Sequence, residues 1–265
     1  MQVAAVQYRA ERAPDDVLGA LARSRDQLTS HAASVLAQGP LDLLVLPEMA
    51  ASGYLFPSPD AVRQVAETED GPTVQAVAAL ARAHRCHVVV GFPERAGDRL
   101  YNSAAVLDGH GELVAVYRKR LLFRADGPWA TPGERPYPLV DTGSGRFTVG
   151  ICMDLNDDAF TAWIRESGVE MVAFPTNWVD EGEPTWPYWA WRMHGSRAAL
   201  VAANRWGSEH VSGVVADGPT DAEAEVTRFS GASCVLQWRG PVDGLRPTIL
   251  ASLPATGDGV LGTTL

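Results

Sequence analysis

Three side chains of this sequence stand where an apolar run stops. Glu48 follows Leu43-Leu44-Val45-Leu46-Pro47, Lys119 follows Val114-Ala115-Val116-Tyr117-Arg118, and Cys152 follows Phe147-Thr148-Val149-Gly150-Ile151. An ionised thiol is a strong nucleophile, a carboxylate can take its proton, and an ammonium can hold a negative oxygen. Each residue alone has a plainer reading. A lone Cys is commonly a small buried hydrophobe, a strand-end Glu a solvated turn residue, and Arg118-Lys119-Arg120 an exposed charge run. The three together, each in the same local setting, suggest one shared site.

The context of Cys152 adds to this. Met153-Asp154-Leu155-Asn156 is followed by Asp157 and Asp158, either of which can cap a helix over 159–167. A thiol at a helix start faces the positive end of its dipole and is expected to ionise more easily.

Strands and helices alternate along the chain and must carry these residues. Strands are expected over 2–8, 41–46, 87–92, 102–107, 113–117, 146–151, 171–174, 200–203, 233–237 and 248–253, the last closing the chain. Within the run 41–46, residues 43–46 are wholly apolar, as in a strand buried on both faces. Helices are expected over 15–38, from Pro72 onward with Val74, Val77, Ala78 and Ala81 inward, and over 188–199. Asp108-Gly109-His110-Gly111 reads as a hairpin turn, so the sheet is mixed. The polar stretch 217–225 reads as an exposed loop. The pattern is that of a layered α/β domain without a linker, one domain over 1–265.

Composition narrows the partners. The chain has 265 residues, 46% hydrophobic and 20% charged, with a net charge of −10. That balance disfavours nucleic acid and anionic membranes, which want clustered Lys and Arg. No apolar run is long enough to span a membrane, and no signal peptide is evident at the N-terminus. Three cysteines without regular spacing make no disulfide framework. A reducing, cytoplasmic setting is expected.

Other motifs lead nowhere. Gly143-Ser144-Gly145 lacks the further residues of a nucleotide-binding loop. His84-Arg85-Cys86-His87 has no second pair at zinc spacing. His194 and His210 are candidate partners for Cys152, with an ordinary surface role as the plainer reading. No metal or organic cofactor is called for.

In order and spacing, Leu46-Pro47-Glu48, Tyr117-Arg118-Lys119 and Gly150-Ile151-Cys152-Met153-Asp154 resemble the three signatures of the nitrilase superfamily of carbon–nitrogen hydrolases. Ala50-Ala51-Ser52-Gly53-Tyr54, Ala203-Asn204-Arg205-Trp206-Gly207 and Phe229-Ser230-Gly231-Ala232-Ser233 resemble further segments of that family. Gly150 to Asn156, Tyr188 to Arg192 and Asn204 to Glu209 look most like its protein N-terminal amidase branch. The resemblance implies a four-layer α-β-β-α sandwich with mixed sheets. It also implies a homodimer built on the helices after Cys152 and near residue 190, where Trp163, Trp178, Trp186, Trp189 and Trp191 offer anchors.

The activity implied is hydrolysis of a small-molecule amide with release of ammonia, through a thioester on Cys152. Glu48 would act as general base. Lys119 and the backbone N–H of Met153 would hold the oxyanion. Tyr54, Asn177 and Trp178 would contact substrate. A nitrilase or N-carbamoyl-amine hydrolase would use the same triad, and a non-catalytic binding protein on this fold remains a separate alternative. The family usually carries a second glutamate between the lysine and the cysteine. The nearest match is Asp126, in Asp126-Gly127-Pro128, which either supports Lys119 or is an ordinary turn aspartate. Asp180, Glu181 and Glu183 beside the tryptophans could receive an ammonium group, or form a solvated loop.

Overall fold

Successive residues along the central strands face two different cores, and this alternation explains the layering. Val3 and Ala5, Leu43 and Val45, and Val89 point into one core together with Phe147, Val149, Met171, Ala173 and Val201. Their neighbours Ala4, Val6, Leu44 and Val88 point the opposite way, against Leu28, Ala32, Val74, Val77 and Ala81. A strand buried on both faces is therefore apolar at every position, as residues 43–46 are. Each Val or Leu so buried contributes about 1.5–3 kcal/mol.

The computed structural model describes residues 1–13, 15–211, 225–240 and 246–265. The first sheet holds β1 (Gln2–Gln7), β2 (Leu43–Val45), β3 (His87–Ala96), β4 (Arg99–Leu107), β5 (Leu113–Arg118) and β14 (Gly259–Thr264), in the order β14-β1-β2-β3-β4-β5. The second holds β6 (Val140–Asp141), β7 (Arg146–Val149), β8 (Met171–Thr176), β9 (Ala199–Asn204), β12 (Cys234–Arg239) and β13 (Arg246–Ser252), in the order β13-β12-β9-β8-β7-β6. β1, β2 and β3 are parallel, as are β7, β8 and β9, while the outer pairs are antiparallel. β10 (Trp206–Val211) and β11 (Glu225–Ser230) form a separate ribbon.

Helices α1 (Val17–Leu36) and α3 (Pro72–His84) cover the outer face of the first sheet, and α2 (Pro59–Val65) lies between them in sequence. Helices α4 (Asp158–Ser167) and α5 (Thr185–Arg192) cover the second sheet through Phe160, Ile164 and Trp189. The architecture is the expected α-β-β-α sandwich with mixed sheets.

Several boundaries differ from the sequence reading. The helix expected over 188–199 starts at Thr185 and stops at Arg192, because the chain turns at Gly195 with φ +79° and residues 199–204 are drawn into the sheet. The chain does not close at residue 253; β14 returns to pair antiparallel with β1. Ala78 on α3 is only partly buried. Residues 217–224 of the polar stretch lie outside the described residues.

Candidate active site

Each candidate catalytic side chain leaves a strand end whose backbone is pinned. Pro47-Glu48-Met49 follows β2 and is hooked to β3 by Gly91 N–H to the Pro47 carbonyl (3.1 Å) and Ala50 N–H to the Gly91 carbonyl (2.8 Å). A side chain on Gly91 would not fit: its Cβ would lie 2.6 Å from both Glu48 Cα and the Pro47 oxygen. Lys119 follows β5 and donates its backbone N–H to the Asn102 carbonyl at 2.8 Å. Cys152 follows β7 with φ +45°, a strained conformation for a residue with a side chain, of the kind found at functional sites.

These ends converge from both sheets. The Lys119 ammonium donates to Glu48 Oε1 at 2.8 Å and to Asp126 Oδ2 at 2.6 Å. Asn102 Nδ2 bridges the same carboxylates, donating to Glu48 Oε1 at 2.7 Å and Asp126 Oδ1 at 3.1 Å. The second Glu48 oxygen accepts the backbone N–H of Asn177 at 2.7 Å, just past β8. Glu48, Lys119 and Asp126 are each wholly buried. Asp126 also closes a turn, its Oδ2 accepting the Phe123 N–H at 3.0 Å, so it is both a turn aspartate and a partner of Lys119. Tyr54 is buried with its ring 5.8 Å from the Lys119 nitrogen.

The helix expected over 159–167 is present, but the easier ionisation expected of the thiol is not. Residues Cys152–Asn156 form a short 3-10 segment, and α4 begins only at Asp158, capped by Asp157. Burial, and then the Glu48 charge, push the Cys152 thiol up to about 12, against the pull of Lys119. Burial and the Asp126 charge raise the Glu48 carboxyl, although Lys119 opposes them. Burial also disfavours the Lys119 charge, yet Asp126 and Glu48 together hold its pKa well above the ordinary value.

Cys152 opens on a cavity of about 440 Å³ whose walls include Phe123, Met153, Asn177, Trp178 and Tyr188. Glu181 and Glu183 stand at the same cavity, both exposed. The Trp178 ring packs 5.6 Å from those of Tyr188 and Trp189. Below the cysteine, Asp154 accepts N–H groups of Ile151 (2.9 Å), Arg120 (3.0 Å) and Leu121 (2.9 Å) and the Tyr117 hydroxyl (2.9 Å). It ties the cysteine turn to the segment that carries Lys119.

The two candidate histidines stand elsewhere. His210 lines a different cavity beside Arg12, and neither it nor His194 borders the cysteine cavity. Among the described residues no cluster of His, Cys, Asp and Glu is arranged to hold a metal, and Cys86 of the histidine-flanked motif is a buried core residue. Asn102 escaped the sequence reading. Its signal was faint: one amide in the strand Leu100-Tyr101-Asn102-Ser103-Ala104-Ala105, facing the site only because of its register against Pro93.

The carbon–nitrogen hydrolase family model matches residues 2–242. A Pseudomonas protegens protein, the hydrolase in the pqqF 5′ region, is 34% identical over 171 residues, covering 64% of this chain and 57% of that protein's length. The protein N-terminal amidase of Schizosaccharomyces pombe is 27% identical over 238 residues, covering 74% and 78%. Among solved structures, a Nesterenkonia amidase from the nitrilase superfamily superposes over 100% of this chain and 91% of its own, at 22% identity and a TM-score of 0.74. An N-terminal amidase crystallised with an Asn-Glu-Ala peptide covers 99% and 96% at 15% identity and a TM-score of 0.77. With the family model matched over most of its length, the chain belongs to the carbon–nitrogen hydrolase family.

Proposed function

We propose that this chain is an amidase that hydrolyses a small carboxamide through a thioester on Cys152. The observation that supports it is the thiol's place at an open cavity, with the Glu48–Lys119 pair buried behind it and near enough for their charges to act on it. Glu48 and Asp126 bring two negative charges to one ammonium. A thiolate would add a third, so the sulfur keeps its proton at rest and loses it only during attack.

The steps balance. Glu48 takes the thiol proton as sulfur bonds the carbonyl carbon, and the carbonyl electron pair moves to oxygen. Two of the three Lys119 N–H groups are spent on carboxylates, which leaves one for that oxygen; the Met153 backbone N–H is the second donor. Loss of one such donor commonly costs about 10²–10³ in rate. The intermediate collapses, the carbon–nitrogen bond breaks, and ammonia leaves with the proton from Glu48. Water then attacks the thioester carbonyl as Glu48 takes its proton, the carbon–sulfur bond breaks, Glu48 returns the proton to sulfur, and the carboxylic acid leaves. Asn177 and Trp178 contact the substrate, and Tyr54 backs Lys119.

The cavity volume suits a compact ligand. Aromatic walls and the rim carboxylates of Glu181 and Glu183 favour a carboxamide with a cationic far end, a reading in keeping with relatives named protein N-terminal amidases. Residues 1–265 act as one domain in a cytoplasmic homodimer, with Trp191 of α5, 62% exposed, at the contact. The test is ammonia release from matched cationic, neutral and anionic carboxamides, an N-carbamoyl amine and a nitrile. Cationic carboxamides are expected to be turned over fastest, and Cys152→Ala to abolish turnover without loss of fold. An active Cys152→Ala enzyme refutes the mechanism; a preference for anionic amides refutes the cationic reading.

A further inference from the structure

A second buried charge pair lies behind the general base. Arg205, just past β9, is fully buried, and its guanidinium makes three kinds of contact. Its Nε donates to Asn177 Oδ1 at 2.9 Å, one Nη to the Met49 carbonyl at 2.9 Å, and the other Nη to Glu209 Oε1. Met49 is the residue after Glu48. Asn177 is the residue whose backbone N–H holds Glu48 Oε2. One rigid fork thus grips both the residue after Glu48 and the residue whose backbone holds the Glu48 carboxylate.

The fork is itself held. Glu209 on β10 accepts the backbone N–H groups of Tyr54 and Leu55, each at 2.9 Å, and pairs with Arg12 at 3.2 Å. Its carboxyl is buried, but Arg205 and Arg12 outweigh that burial and hold it below the usual carboxylate range. The guanidinium also decides which way the Asn177 amide points. With Oδ1 turned to Arg205, the Nδ2 group is left without a hydrogen-bond partner among the described residues, on a residue that lines the cysteine cavity. A buried amide donor without a partner is costly, about 1–3 kcal/mol, unless something at the site accepts from it.

We propose that Arg205, keyed by Glu209, is a positioning residue for the reaction: it sets the Glu48 carboxylate through Asn177 and Met49, and it aims Asn177 Nδ2 at the substrate. This rests on Glu48 being the general base. Arg205 does not line the cysteine cavity.

Arg205→Lys separates this role from a purely structural one. It keeps the charge but cannot serve three acceptors in one plane. The Asn177 N–H then holds the ionised Glu48 less firmly, so the Glu48 pKa rises further and the acid limb of kcat/KM moves to higher pH. We expect kcat per titrated Cys152 to fall about 10–100-fold. Asn177→Ala, a smaller change, is expected to shift the limb the same way and to raise KM as well, because the cavity donor is lost. Adding Arg205→Lys to Asn177→Ala is expected to cost less than about threefold more, because residues acting through one another are non-additive. A merely structural arginine would lower Tm while leaving the acid limb and the rate per titrated site unchanged in both variants, and that result overturns the inference. It also fails if Arg205→Lys does not fold and Asn177→Ala leaves the limb where it was. A wild-type protein inactive on every carboxamide would instead count against the proposed reaction.

Discussion

Cys152, Glu48, Lys119 and Asp126 are best understood as one electrostatic set, joined through the Lys119 ammonium and the Glu48 carboxylate. Burial, and after it the neighbouring carboxylate charge, pushes the thiol up and raises Glu48. The proposed mechanism needs Glu48 ionised, so activity should fall on acidification, with a limb above the ordinary Glu value of about 4.3. A pH profile of kcat/KM checks this. Asp126 raises Glu48 by its charge and steadies Lys119 by its hydrogen bond. Asp126→Asn should therefore move the acid limb to lower pH and reduce kcat by about 10²-fold, since the ammonium loses one of its two anchors. A near-normal rate with an unmoved limb would reduce Asp126 to a turn residue. Legibility at this scale was uneven. Glu48, Lys119 and Cys152 could be read because each ends an apolar run. Asn102 could not, since nothing in a single amide within a strand reveals that two carboxylates from other segments will meet it.

Elements hold this set through close backbone approach. Gly91 lets the Glu48 loop lie against β3 where any Cβ would strike backbone atoms. Gly91→Ala must displace that loop. We expect a stability loss of about 1–3 kcal/mol, seen as a lower denaturation midpoint, together with a fall in kcat larger than instability explains. Asp154 is the corresponding tie below Cys152, serving three backbone N–H groups and one hydroxyl. Asp154→Ala leaves those donors buried without an acceptor, at about 1–3 kcal/mol for each that finds no substitute. Chemical denaturation should show a loss of at least about 3 kcal/mol on that basis. The strands themselves were legible from alternation and apolar runs. The end of α5 was not: residues 193–199 have helical composition, but Gly195 and the pull of the sheet on β9 stop the helix at Arg192.

At the scale of the molecule, the site exists only where the two sheets meet. Glu48, Asn102 and Lys119 come from the first sheet; Cys152, Asn177 and Arg205 come from the second. β14 secures the first sheet by covering the free edge of β1, with Leu261 buried between the layers. Removing residues 259–265 bares that edge and is expected to give an aggregation-prone protein with a lower Tm, measured by light scattering and thermal melting. The exposed Trp191 belongs to the proposed dimer contact. Trp191→Ala should weaken self-association by at least tenfold in Kd, as loss of a large aromatic anchor commonly does. Sedimentation showing an unchanged dimer, or a monomer in the parent protein, removes that role.

The amino-acid sequence alone pointed to the proposed nucleophile, base and cation, because local pattern encodes which residues end buried strands. It determined the layered class too, because two-faced apolar strands must be covered on both sides. Tertiary structure alone decided that Asp126 and Asn102 join the Glu48–Lys119 pair, that burial pushes the thiol up, and that Arg205 reaches Asn177 and Met49. Those facts depend on distances between segments up to 156 residues apart in the chain and on how much water packing excludes from each charge, and neither is written in any local stretch of residues.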